Sequence, residues 1–226
     1  MQPDRGFAVF LVVALIALVS ALAMAAVMAT STDSRIAAAF ISGMEVRYAA
    51  EAGAHRALID LATQPDFSQA FDGSRRSTFV DGPPGGVRSL PGGYSVDLDL
   101  VRSLANCGHA PPCTDAELDA VTVSRPWGVN NPRWQLFAYG PLAGLLPAGL
   151  APSRSYLVAL VADDPAEGDG NPIRDGGAPD AGAGVLRLRA EAFGPAGAHH
   201  AVELTARRAA SGALGLTVVS WRELPD

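Results

Sequence analysis

Apolar residues fill positions 7–29, FAVFLVVALIALVSALAMAAVMA, without a charge or a proline. At about 1.5 Å per residue this run would form a helix of about 35 Å, enough to cross a bilayer. From residue 30 polar side chains enter the pattern, yet TSTDSRIAAAFISGMEVRYAAEAGAHRALIDLA is still dominated by helix formers, and the first breaker is Pro65. The pattern therefore predicts one helix over residues 7–63, roughly 85 Å long. At about 100° per residue, Ile36, Phe40, Ile41, Met44, Tyr48, Ala52, Leu58 and Ile59 fall within one half of its circumference. Arg35, Ser42, Arg56 and Asp60 lie opposite, so one side of the helix is built to be covered. Arg47, Glu51 and His55 form an i, i+4, i+8 row inside the apolar sector, where Glu51 can pair with Arg47.

Past Pro65 the period changes. Residues 72–93 are rich in turn formers and predict an irregular loop with one short strand at 77–80. YSVDLDL, residues 94–100, alternates as a half-buried strand does, and residues 114–118 predict an N-capped turn or short helix. Residues 134–139 are a further strand candidate, and the continuous apolar run YLVALVA at 156–162 predicts a strand buried on both faces. VLRLRAEAF and AVELTARR alternate on either side of Gly194-Pro195-Ala196-Gly197, as a hairpin should, and residues 214–222 make a last strand with Trp221 as a core anchor. The predicted class is α+β, a long N-terminal helix followed by a mainly antiparallel β-sheet domain.

Composition narrows the chemistry. The net charge is −6, and every basic residue is arginine. The acidic balance fits no nucleic-acid groove, so no nucleic-acid partner is expected, and the exclusive use of arginine reflects the codon bias of a GC-rich genome rather than chemistry. No nucleophile elbow, phosphate loop or zinc spacing is present, and no enzymatic activity is expected. The two cysteines bracket CGHAPPC. In an oxidising compartment Cys107 and Cys113 would form a local disulfide; the alternative, a metal site with His109, lacks a fourth protein ligand. After the buried strand comes the run DDPAEGDGNP, continuing to Asp175 and Asp180. Asp163, Asp164, Glu167, Asp169, Asn171 and Asp175 offer hard oxygen ligands on a flexible loop, which suits calcium without matching an EF-hand. A solvated acidic loop is the alternative.

Several N-terminal signals fit the apolar run. Ala23-Met24-Ala25 has the form of a secretory cleavage site, and an uncut signal anchor needs only a span of this length. A third possibility rests on likeness. A short leader ending in Gly6, then Phe7, then an apolar helix running into a stalk resembles the class III signal of type IV pilins and pseudopilins. Arg5-Gly6-Phe7-Ala8-Val9, Arg35-Ile36-Ala37 and Tyr48-Ala49-Ala50-Glu51-Ala52-Gly53 resemble the N-terminal region of PilX-type minor pilins more narrowly. The resemblance covers residues 5–61 well and the C-terminal half in fragments.

That resemblance implies cleavage by a prepilin peptidase between Gly6 and Phe7 and methylation of Phe7. It divides the chain into a leader (1–6), a membrane and filament-core half-helix (7–29), a stalk (30–64) and an extracytoplasmic β-rich domain (65–226). Its partners would be other major and minor pilins through the N-terminal helix, first in the inner membrane and then in an extracellular pilus. Most pilins carry a glutamate at the fifth mature position, which neutralises a neighbour's N-terminal amine; this chain has Leu11 there. An unpaired charge in hydrocarbon is costly, so a subunit without the carboxylate suits the tip of a filament, where it would prime assembly and contribute to adhesion. A minor pseudopilin of type II secretion, and a membrane-anchored, calcium-dependent binding domain, are the alternatives.

Overall fold

The computed structural model describes residues 5–147, 153–177, 182–209 and 215–225. The chain forms two compact units, Met1–Ile41 and Ser42–Asp226, and helix α1, Arg5–Ala62, provides the described part of the first and the opening of the second. Its uninterrupted course follows from the absence of proline between residues 4 and 64.

In the second unit an antiparallel sheet runs in the order β3–β4–β5–β6–β7: Gln135–Pro141, Tyr156–Asp163, Val185–Phe193, His199–Arg208 and Leu216–Leu224. Sequential strands pair throughout, as short connections favour. Period-two alternation sends Leu157, Ala159 and Val161 to one face of β4, and Tyr156, Val158, Leu160 and Ala162 to the other. Both faces are covered, which is why this strand is apolar without interruption.

The first face packs on α1 through Val46, Ala49, Ala50, Ala54, Ala57, Leu58 and Leu61, joined by Phe67 and Phe71 of the segment holding α2, Ser68–Phe71. This differs from the apolar sector expected from the large side chains. Ile41, Tyr48 and Ile59 are exposed, and the buried stripe is largely alanine, because small residues let the helix axis come close to the sheet. Gly53 is buried on the same face, where a Cβ would meet Leu157 at 3.8 Å, an ordinary van der Waals contact.

The opposite face is covered by a hairpin, β1 Val87–Leu90 with β2 Tyr94–Asp97, and by α3, Leu98–Cys107. Leu90, Val96, Leu98, Val101 and Ala105 pack there against Trp134, Leu136, Tyr139, Tyr156 and Leu160. Here the structure corrects the sequence. The strand expected over 94–100 ends at Asp97, whose carboxylate accepts from the backbone N–H groups of Asp99 and Leu100 and so starts a helix. Within 77–80 only Val80 bridges to Tyr139, and β1 occupies what was expected to be loop. α4, Asp115–Leu118, is held by a capping box between Thr114 and Glu117.

Candidate functional site

Three places in the chain carry candidate chemistry. The first is the surface of α1 itself. Phe7, Phe10, Leu11, Leu15, Ile16, Leu22 and Met28 are all more than half exposed, and none of the most apolar window is buried. Among the described residues this is the one helix long and apolar enough to cross a membrane. Gly6 lies within α1 next to the exposed Phe7, and Leu11 is 52% exposed, one turn further on. Thr30, Ser31, Thr32 and Ser34 mark the end of the apolar run, and each hydroxyl bonds back to a carbonyl three or four residues earlier. The Arg47–Glu51–His55 row is a surface feature: Arg47 pairs with Glu223 at 2.6 Å and lies 3.7 Å from Glu51, and His55 stacks on Trp221 at 5.9 Å. Trp221 is 38% exposed on the last strand rather than a core anchor.

The cysteine pair closes as a disulfide, Cys107–Cys113, at the C-terminus of α3. Gly108, at φ +74°, turns the chain out of the helix, a conformation that favours glycine. His109 Nε2 lies 3.1 Å from Glu117 Oε1 beside Cys107, but both sulfurs are oxidised and no thiolate remains for a metal. The bond to the Ala110 carbonyl, and then Glu117, hold His109 above the ordinary imidazole range.

No protein-family model, curated protein or solved structure matches this chain. Its chemistry must therefore be read from its own side chains.

The acidic loop is the second place. Of the six residues expected to offer ligands, the fold brings three together. Asp163 ends β4 and is buried; Glu167, in the turn closed by Glu167 N–H donating to the Asp164 carbonyl at 3.0 Å, is 1% exposed. Asp175 is fixed by backbone donors, Phe67 N–H to Oδ2 at 3.1 Å and Gly184 N–H to Oδ1 at 2.7 Å. Asp163 Oδ1 accepts from the Asp164 N–H at 2.8 Å, while neither Glu167 oxygen has a hydrogen-bond partner among the described residues. The Gly176 N–H and the Asp163 carboxyl lie close to Glu167 without hydrogen-bond geometry. Burial first, and the facing carboxylates second, push both Asp163 and Glu167 above the ordinary carboxylate range. Asp164 is half-buried, Asp169 is exposed and caps the Asn171 N–H at 2.7 Å, and Asn171 is half-buried; these three do not join the buried pair. Asp180 lies outside the described residues.

The third place, an arginine–tryptophan cleft of about 380 Å³ on the α3 side of the sheet, was not expected from the sequence. Arg187 lies between Trp127 and Trp134, 5.6 and 5.8 Å from the ring centres, and shares the buried Glu203 with Arg222. Arg125 donates to the carbonyls of Leu118 and Pro132 at 3.2 and 3.0 Å. Burial, and then Arg133 and Arg187 nearby, lower its pKa. Beside the cleft, Arg189 and His199 hold the buried Glu191 at 2.7 and 3.0 Å. The alternation of β5 and β6 is visible in the sequence, but the segment that supplies the tryptophans and Arg125 has no period to show which face it will cover.

Proposed function

We propose that this protein is a PilX-type minor pilin: a single-pass subunit of the inner membrane that enters a type IV pilus near its tip. The observation that carries this is the continuity of α1. One unbroken helix is apolar and uncovered through residues 7–29, then becomes an integral part of the domain core from Val46 onward. A signal peptide has no reason to run on into a folded core, and an ordinary anchor has no need to be continuous with it. A helix with this construction can exchange lipid for the apolar helices of other subunits while its domain remains folded. Exposed Ile36, Phe40, Ile41, Tyr48 and Ile59 extend the apolar surface beyond a bilayer's thickness, as packing against neighbouring stalks requires.

Two further features support the proposal. The disulfide suits a domain on the extracytoplasmic side, with the N-terminus in the cytoplasm. Leu11 leaves no carboxylate to meet the amine of a preceding subunit, which a first subunit does not need. Prepilin peptidase would cut between Gly6 and Phe7, and other pilins would be the partners. Gly6→Ala is expected to block processing and leave the chain in the membrane at its full mass. Processing at the same rate as the parent would contradict the proposal.

A further inference from the structure

We propose that Asp163 and Glu167 are ligands of a hard divalent cation, calcium by their chemistry, which clasps the acidic loop to the end of β4. Glu167 is 1% exposed and its two carboxylate oxygens have no hydrogen-bond partner among the described residues. The charged groups that face it, Asp163, Asp175 and Asp169, are all acidic. A carboxylate buried among carboxylates is far more costly than one left in water unless a cation joins them.

The backbone is shaped around this side chain. A Cβ on Gly176 would lie 2.3 Å from Glu167 Oε1, so the returning chain passes close over the carboxylate, and any larger residue there would force the Glu167 side chain to move. Gly182, at φ +149°, closes on the Glu167 backbone N–H in the same way, with 2.9 Å to a Cβ. Asp175 stands beside the pair, anchored by Phe67 and Gly184, and each of its oxygens keeps a lone pair after accepting one hydrogen bond. Oxygen ligands carried on a loop suit calcium, whose coordination is larger and more adaptable than the tight octahedron that magnesium demands. The ligand set is narrower than the acidic run suggests: the exposed Asp169 caps its own turn and is not part of it.

The alternative is a carboxyl–carboxylate pair sharing one proton. The test uses the full-length protein in detergent micelles, stripped with chelator and titrated with calcium chloride while thermal unfolding is followed. Calcium should raise the melting temperature by several degrees, with magnesium much less effective. Glu167→Gln and Asp163→Asn should each melt higher than the parent without calcium and lose the calcium response, while Asp169→Ala should keep it. Direct calcium binding to the parent, read by equilibrium dialysis, should show one site that Glu167→Gln removes; this stands even if a variant folds poorly. No response of the parent at about 10 mM calcium, above the range of weak extracellular sites, would overturn the proposal. So would an equal response in Glu167→Gln.

Discussion

The residues of α1 before Ile41 and those after Ser42 share one helical geometry and differ in what covers them. In the earlier stretch large apolar side chains point outward all round the helix, and nothing in the described chain hides Phe10, Ile16 or Leu22. In the later stretch the large side chains of Tyr48 and Ile59 are left outside, while alanines at 49, 50, 54 and 57 are buried together with Val46, Leu58 and Leu61. Hydrophobicity alone thus does not mark the face that a protein buries within itself. Where the partner is the chain's own sheet, close approach selects small residues. Where the partner is lipid or another helix, the surface is simply apolar.

This contrast has graded consequences. Leu61→Ala, in the core between α1 and the sheet, should cost about 2–5 kcal/mol in domain stability, whereas Leu15→Ala in the uncovered half should leave the unfolding midpoint unchanged; denaturant melts of both would check this. Next in size is Glu191. Burial alone would raise its pKa, but His199 and Arg189 more than offset that and hold it below the usual carboxylate range. Its pairs therefore stabilise the fold above the unfolded value of about pH 4.3 and are lost as pH falls through the lower folded one. Glu191→Gln should cost about 3 kcal/mol at neutral pH and flatten the acid limb of a stability-against-pH curve.

Cys113→Ser opens a short loop at the end of α3 and should cost about 2 kcal/mol, measurable as a lowered midpoint without change of fold. Arg47→Ala removes exposed pairs with Glu223 and Glu51 and should change stability by about 0.5 kcal/mol or less. A larger loss there would mean that β7 depends on α1 more than its exposed ion pairs suggest.

Much of this architecture could be read before the structure. The absence of proline from residues 5–62 marked α1, and the alternation of Val185–Phe193 matched β5 residue for residue. Tyr94–Asp97 also alternates, but Asp97 can end a strand by capping a helix, and in DLDL both outcomes share one pattern. The buried face of α1 was hidden because alanine carries little hydrophobic signal. Glu167 was visible as an acid among acids; its burial depends on Gly176 and Gly182, which read in sequence only as turn formers. The arginine–tryptophan cleft joins segments some 60 to 100 residues apart, about the distance from Trp127 to Arg187 and Arg222, and no local pattern foretells that.

The most direct test of the pilin proposal is the mass of the N-terminal peptide of the mature protein, taken from membranes of its native host. A peptide that begins at Phe7 and carries one added methyl group is the expected result. A peptide that begins at Met1 or at Ala26 would contradict it and leave a membrane-anchored or secreted domain in its place.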